Sequence, residues 1–93
     1  MLVRHGERYE WDFAKAERNL RKHRVSFAEA ATVLESELTE WQPDLEHGEP
    51  RLNALGYSAR GRVLFVVVAE VIGDRLRIIS ARKANAAELK GYR

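Results

Sequence analysis

Three strand-like runs separated by very short connections constrain the fold of this chain more than any other feature. Residues 62–72, "RVLFVVVAEVI", are nearly continuously apolar, as expected for a central strand, whereas "RLNALGYS" before them and "RLRIISAR" after them alternate more. The connections "ARG" and "GD" suit tight hairpins, with Gly61 and Gly73 able to take positive φ. The three runs therefore predict an antiparallel meander.

A short strand and a helix are predicted before the meander. The strand is "RYEW" at residues 8–11, and Asp12 after it can cap a helix that starts at Phe13. Helical spacing of Phe13, Ala16 and Leu20 predicts that they form its buried stripe. A different face of this helix carries the polar residues Lys15, Arg18, Asn19 and Lys22.

A second helix follows, and its start has the pattern of a capping box. Ser26 and Glu29 have the required spacing, and the apolar stripe consists of Phe27, Ala30, Ala31 and Leu34. Residues 38–50 predict a strand of uncertain length followed by a loop. The segment "NAAELKGYR" predicts a last helix, which Gly91 weakens. Trp11 and Trp41 are expected in the core. The fold class is therefore α+β: two N-terminal helices and a C-terminal helix pack on an antiparallel sheet of three to four strands.

Length and composition limit the kinds of protein that this chain can be. Its 93 residues suit a single domain, 1–93, and the absence of cysteine excludes disulfides and thiolate chemistry. The longest apolar run spans ten residues and is interrupted by Glu70, whereas a bilayer requires about 20. The amino terminus lacks the apolar core of a signal peptide. We expect a cytoplasmic protein without a membrane partner.

Charge is more segregated along the sequence than the net charge of +2 suggests. Residues 1–24 hold seven Lys/Arg against four Asp/Glu, residues 25–50 none against seven, and residues 51–93 nine against three. The basic ends can form a positive surface that attracts polyanions. Alternatively, the acidic middle folds back and neutralises them.

Arginines at strand ends are the strongest candidates for chemistry. The three histidines are 18 and 24 residues apart and form no metal-binding pair, and no glycine-rich phosphate loop is present. Arginine suits phosphate because its planar group donates two parallel hydrogen bonds. Antiparallel pairing is expected to bring Arg82 near Arg62. The alternative is that each arginine simply ends a strand and stays solvated; the four are Arg51, Arg62, Arg77 and Arg82.

Histidines and a neighbouring acid are candidates for proton transfer. His23, at the end of the first helix, has an ordinary pKa that suits acid–base work, although it could equally cap the helix or pack against the core. His47 and Glu49, in the acidic loop, carry the same two interpretations.

Several segments together resemble one protein family. The segments are "YEWDFAKAERNLRKHRVSFAEAATVL", "EHGEPR", "GRVLFVVV" and "RIISARKA", and they resemble the BrnT toxins, ribonucleases of bacterial type II toxin–antitoxin systems. The resemblance covers Tyr9 to Tyr92. It implies a fold similar to the RelE toxins, cleavage of mRNA that halts translation, and a cognate antitoxin, usually a BrnA-like ribbon-helix-helix protein that binds DNA. A hetero-oligomer with that antitoxin is expected, and DNA contact only through it.

The resemblance implies a metal-independent endoribonuclease without a cofactor, in which the RNA 2′-hydroxyl is the nucleophile. The protein then positions the chain, stabilises the phosphorane and moves protons. His23 or Glu49 would take the proton, and three arginines would hold the scissile phosphate. The candidate catalytic residues are His23, Glu49, Arg51, Arg62 and Arg82, and the candidate RNA-binding residues are Lys15, Lys22, Arg77, Ser80 and Lys83.

Three departures from the family pattern support a second hypothesis. Arg24 stands where glycine is common, Pro50 replaces an acid, and the tail lacks a basic run. The chain could therefore be a catalytically inactive module that docks an antitoxin or RNA through its basic face. Direct DNA reading is disfavoured because the second helix carries glutamates and no Lys or Arg.

Overall fold

The sheet contains more strands than the sequence predicted. The computed structural model describes residues 1–44, 50–71 and 73–92, and their strands form one six-stranded sheet in the order β1-β2-β6-β5-β4-β3. Strands β2 and β6 are parallel and all other neighbours are antiparallel. The α+β class is confirmed, but an antiparallel sheet of three to four strands is wrong. The strands are β1 (Leu2–His5), β2 (Tyr9–Asp12), β3 (Glu40–Asp44), β4 (Arg51–Tyr57), β5 (Val63–Val71) and β6 (Arg75–Lys83).

The two features that the sequence missed have weak local signals. β1 is short and largely exposed, and it pairs with β2 through a turn in which Gly6 has a φ of 64°. The parallel pairing joins Tyr9 to Leu76, which are far apart in sequence. Periodicity within a segment reports which face of a strand is buried and not which strand lies beside it.

The meander formed by β4, β5 and β6 is confirmed. Gly61 and Gly73, in the two hairpin connections, have φ angles of 79° and 85°, as expected. The next residue after the second glycine, Asp74, also has a positive φ of 62°. Two consecutive residues with positive φ are typical of a tight hairpin turn that matches the strand twist.

Three helices cover the sheet unequally. They are α1 (Phe13–His23), α2 (Phe27–Leu34) and α3 (Ala86–Gly91). Helices α1 and α2 pack against one face, which we call the helix face. The opposite face, which we call the open face, is approached only by the short α3 within the described parts of the chain. Between α2 and the sheet lie the most deeply buried side chains: Val25, Phe27, Val33, Leu64, Val66, Val68 and Ile78.

The predicted buried stripe of α1 is only partly correct. Phe13 and Leu20 are 50% and 42% exposed, whereas Asn19, predicted on a polar face, is only 8% exposed. Ala16 does pack against the core. Helix α1 runs beside an edge of the sheet whose backbone groups need hydrogen-bond partners, and a buried amide satisfies them where an apolar side chain cannot.

Two other expectations need correction. Trp11 is buried as expected, but Trp41 is 39% exposed because β3 is an edge strand. The capping box of α2 is half formed: the Ser26 side chain accepts from the Glu29 amide at 3.0 Å, but the Glu29 carboxylate turns towards Arg62. The full capping box occurs in α3, between Asn85 and Glu88.

Candidate functional site

One buried amide holds the C-terminal end of α1 against the end of β6. Asn19 Nδ2 donates to the carbonyl oxygens of Val25 at 3.0 Å and Ala81 at 2.7 Å, and its Oδ1 accepts from the Ala81 amide at 3.2 Å. Strand β2 pairs with β6 only as far as Arg77. Asn19 therefore supplies the two hydrogen bonds that a longer β2 would make, and it fixes the following turn of α1, which ends in His23, beside β6.

His23 is half-buried and its environment favours the neutral imidazole. Burial is the main cause that lowers the pKa of His23, followed by the positive charges of Lys22 and Arg82. The influence of the Arg82 charge reflects the approach of α1 to β6. A histidine with a lowered pKa is unprotonated at neutral pH and can accept a proton.

Arg82 lies on the open face and is held from two sides. Its guanidinium carbon lies 4.4 Å from the centroid of the Phe65 ring, within the range of a cation–π contact. Its Nη1 and Nη2 each donate to a different oxygen of the Glu88 carboxylate, both at 2.9 Å. These hydrogen bonds are the main cause that lowers the pKa of Glu88. The hydrogen bonds between Arg82 and Glu88 therefore link helix α3 to the end of β6.

Arg62, in the connection between β4 and β5, reaches the same end of α1. Its Nη2 donates to the carbonyl oxygen of Arg24, directly after His23, at 3.1 Å. Its Nε donates to Glu29 Oε2 at 3.0 Å, and its Nη2 also contacts Glu29 Oε1. Ser58 Oγ donates to the same carboxylate at 2.7 Å. Hydrogen bonding from Arg62 is the main cause that lowers the pKa of the buried Glu29.

Arg24 closes α1 in a left-handed conformation, with φ 59° and ψ 31°. Glycine, which is common at this position in the family, tolerates this conformation best. Its amide donates to the Leu20 carbonyl oxygen at 2.9 Å, which completes the helix end. The departure from glycine is therefore accommodated by the same backbone geometry.

An irregularity in β6 determines which face carries its cations. Val67 pairs with Ser80 but Val68 pairs with Ile78, so Ile79 is an extra residue and forms a bulge. In a regular strand, residues separated by an odd number of positions lie on opposite faces. The bulge reverses this alternation and places Arg77, Ser80 and Arg82 together on the open face.

The predicted lysines are exposed, and none of them forms an ion pair within the parts of the chain that the structure describes. Lys22 precedes His23, and Lys83 follows Arg82, so both flank the meeting point of α1 and β6. Lys15 lies near the start of α1, about 10 Å from Lys22 along the helix axis. Lys15 and Lys22 are seven residues apart, so they lie on one side of α1 and lead towards its end at His23.

Arg51 and Arg77 lie at the other end of the open face. Both align with Ala69 of β5, whereas Arg82 aligns with Phe65. Four residues of a strand span about 13 Å, so the structure does not gather all predicted arginines around one point. Arg77 Nε donates to Glu10 Oε2 at 2.7 Å.

Glu49 lies outside the described residues, as does His47, and the structure therefore places neither of them.

Sequence reasoning missed the residues that organise these cations. Glu29 was interpreted only as part of a capping box, which gives the same local spacing. Glu88 falls in the predicted last helix, and its spacing from Arg82 indicates nothing by itself. Asn19 carried a signal that could have been used, because a lone amide in an amphipathic helix is suited to bind an unpaired strand edge.

A cleft of about 260 Å³ separates α3 from the open face. Leu55 and Phe65 give it an apolar wall, and polar groups come from β3, β4 and α3: Glu40, Gln42, Asn53 and Glu88. The cleft shares Phe65 and Glu88 with the surroundings of Arg82.

Two other kinds of site are absent from the residues that the structure describes. Within ranges 1–44, 50–71 and 73–92, no group of three or more histidine, aspartate or glutamate side chains is arranged to hold a metal ion. None of the described helices is long and apolar enough to cross a membrane.

A match to a sequence family places this α+β chain in a class of ribonuclease toxins. The sequence pattern of the family described as "Ribonuclease toxin, BrnT, of type II toxin-antitoxin system" matches residues 11–88. The chain therefore belongs to the BrnT family, as the sequence resemblance indicated. Membership of this family implies an antitoxin partner and an RNA substrate.

A solved structure agrees with this assignment. The chain is similar to the Brucella abortus ribonuclease toxin BrnT, with a TM-score of 0.66 and 27% sequence identity. The similarity covers 81% of this chain and 92% of that chain. No curated protein sequence gives a significant match.

Proposed function

We propose that residues 1–93 form a single RelE-like domain that acts as a metal-independent endoribonuclease, cleaving mRNA and thereby inhibiting translation. The observation that carries this proposal is the approach of the C-terminal end of α1 to the end of β6: the Arg82 charge helps to lower the pKa of His23, and Arg62 binds the carbonyl oxygen of the next residue, Arg24. Lys22 and Lys83 add positive charge at the same place. A neutral base beside fixed cations suits a reaction in which a hydroxyl loses its proton while a phosphate gains charge.

The reaction proceeds by attack of the RNA 2′-oxygen on the adjacent phosphorus. The neutral imidazole of His23 takes the proton of the 2′-hydroxyl, and the bond from phosphorus to the 5′-oxygen breaks. The products are a 2′,3′-cyclic phosphate and a 5′-hydroxyl end, whose proton comes from solvent or from Lys22. Arg82 stabilises the additional negative charge of the phosphorane. Glu49 is the alternative proton acceptor.

Arg62 has a supporting task in this proposal. Its guanidinium is occupied by Glu29 and by the Arg24 carbonyl oxygen, so it fixes the residues that follow His23. Arg82 is more available, because its partner Glu88 belongs to a six-residue helix in which no side chain is buried. A phosphate that displaces Glu88 would receive the same two parallel hydrogen bonds.

Flanking nucleotides lie along the remaining cations. Arg51, Arg77 and Ser80 contact RNA on the open face, and Lys15, Lys22 and Lys83 bind phosphates as point charges. The BrnA-like ribbon-helix-helix antitoxin forms a hetero-oligomer with the toxin in the cytoplasm and provides its contact with DNA.

Expression in bacteria without a partner tests the proposal. The wild-type chain should arrest growth, and Arg82→Ala should relieve the arrest because it removes the charge that stabilises the phosphorane. Arg8→Ala is a matched control, since it also breaks an arginine–glutamate pair, with Glu35, at a site away from His23. Full toxicity of Arg82→Ala would contradict the proposed role of Arg82.

A catalytically inactive binding module is the second candidate, and one observation favours it. Arg62 and Arg82 are both paired with carboxylates of the chain itself. If these pairs are purely structural, the protein only docks an antitoxin or RNA through its basic face. Expression without a partner would then leave growth unaffected for the wild type as well.

A further inference from the structure

The cleft between α3 and the open face has no assigned role, and its lining is ordered in two rows. Glu40, Leu55 and Phe65 are neighbours across β3, β4 and β5, and Gln42 and Asn53 are neighbours in the next row. The first row provides apolar surface with an acid at its edge. The second row provides two side-chain amides. Flat apolar walls with a few polar groups are typical of sites for small planar ligands.

One of these amides is incompletely bonded. Asn53 Oδ1 is buried and has no hydrogen-bond partner among the described residues. Buried polar atoms in native proteins are nearly always paired, because an unpaired one is costly, and exceptions point to a functional site. Asn53 lines the cleft, and a rotation of its side chain would turn Oδ1 towards a donor of a ligand bound there.

The carboxylates of the cleft only accept hydrogen bonds, whereas its two amides both accept and donate. Glu40 and Glu88 carry negative charge, and the amide oxygens of Gln42 and Asn53 add two more acceptors. Such a lining repels phosphate but suits the exocyclic amino groups of adenine, cytosine and guanine. Uracil is least suited to the two carboxylates, because it has no amino group and offers them only its ring N–H.

The cleft also adjoins the Arg82 guanidinium, which is proposed to bind phosphate. Phe65 lines the cleft and lies under the Arg82 guanidinium, and Glu88 lines the cleft and holds the same guanidinium. We infer that this cleft is a nucleobase subsite, which takes an amino-bearing base of the nucleotide whose phosphate lies at Arg82. The inference rests on the proposed function, and it makes Gln42, Asn53 and Glu40 the residues that determine base preference.

Nucleotide binding tests the inference without requiring cleavage. The full-length ¹⁵N-labelled chain is titrated with the 3′-monophosphates of adenosine, cytidine, guanosine and uridine. We expect the side-chain amide signals of Gln42 and Asn53 to shift with the first three nucleotides. Each of these should bind at least about fivefold more tightly than uridine monophosphate, as expected for one well-formed base contact.

Two substitutions separate base recognition from structure. Asn53→Leu removes the amide at nearly constant volume, so stability should stay equal or rise while the preference over uridine monophosphate falls about fivefold. Glu40→Gln should also reduce that preference. Glu37→Gln is its matched control, because Glu37 is another exposed acid of the same segment that does not line the cleft.

The outcomes distinguish this inference from the proposed nuclease activity. Equal binding of all four nucleotides, or an unchanged preference in a folded Asn53→Leu, overturns the inference. If the same samples cleave RNA while no nucleotide shifts the cleft signals, the nuclease proposal stands and the inference fails. Selective nucleotide binding without RNA cleavage supports the inference and contradicts the nuclease proposal.

Discussion

At the scale of single residues, the electrostatics of His23 connect the sequence to a mechanism. Burial and the charges of Lys22 and Arg82 all disfavour the imidazolium form. A general base must be unprotonated, so a lowered pKa extends its working range towards acid. The sequence indicated His23 as a candidate but not this environment, because Arg82 comes to it from a strand 59 positions later.

The pH dependence of cleavage should follow His23. Activity should rise with pH through the pKa of His23 and reach its plateau at a lower pH than an ordinary histidine of pKa about 6.5 would give. An NMR titration of the imidazole measures that pKa directly. Arg82→Ala removes one of the charges that lower it, so the titration should move to higher pH in this variant. A His23 pKa at or above the ordinary value would contradict the account.

Glu29 should contribute stability that depends on pH. Its folded-state pKa is lowered, so its contribution is present above the ordinary carboxyl pKa and is lost as pH falls through the folded-state value. Glu29→Gln weakens the charged hydrogen bonds of the half-buried Arg62 and should cost about 2 kcal/mol near neutral pH.

Urea unfolding of Glu29→Gln at several pH values checks this estimate. The difference from wild type should shrink in acid. Glu35→Gln is the control, since its exposed pair with Arg8 should contribute less than about 1 kcal/mol. Equal losses in both variants at neutral pH would show that the buried carboxylate has no special role.

At the scale of elements, the position of α1 depends on hydrogen bonds more than on apolar packing. Two of its three predicted apolar anchors, Phe13 and Leu20, are largely exposed, and Asn19 binds the edge of β6 in their place. The bulge at Ile79 has a comparable effect on β6, because it decides the face of Arg82. Neither feature can be predicted from helical or strand periodicity, which assumes regular elements.

Loss of the Asn19 amide should loosen α1 from β6. Asn19→Ala removes three hydrogen bonds and leaves both backbone groups of Ala81 unpaired, so we expect a loss of about 2–4 kcal/mol. Hydrogen exchange of the Ala81 amide should accelerate more than that of Val66, which pairs within the sheet centre. Arg18→Ala, on the exposed side of α1, is the control. Unchanged exchange at Ala81 would refute this role.

At the scale of the whole molecule, the segregated charges of the sequence are partly recombined. The acidic middle contributes Glu29 and Glu35, which pair with Arg62 and Arg8 from the two basic segments. Both alternatives for the charge pattern are therefore partly correct, because the exposed Lys22 and Lys83 near His23 form no ion pair within the described parts of the chain.

The features of this fold that could be predicted from the sequence depend on neighbouring residues, whereas the features that could not be predicted depend on distant ones. The meander, its two glycine turns, and the caps at Asp12 and Ser26 follow from the chemistry of neighbouring residues, and all are present. The parallel pairing of β2 with β6 and the carboxylate partners of the arginines depend on contacts between distant segments. A single sequence carries no direct signal for such contacts.

The most direct test of the central claim is cleavage of a long, labelled single-stranded RNA by the purified protein in excess EDTA. We predict that the wild type and Arg8→Ala release fragments ending in 2′,3′-cyclic phosphate. Arg82→Ala should be strongly impaired, and His23→Ala should be slower by about 10²–10⁴-fold. Intact RNA with the wild type, or equal cleavage by all four proteins, would contradict a metal-independent nuclease site at the meeting point of α1 and β6.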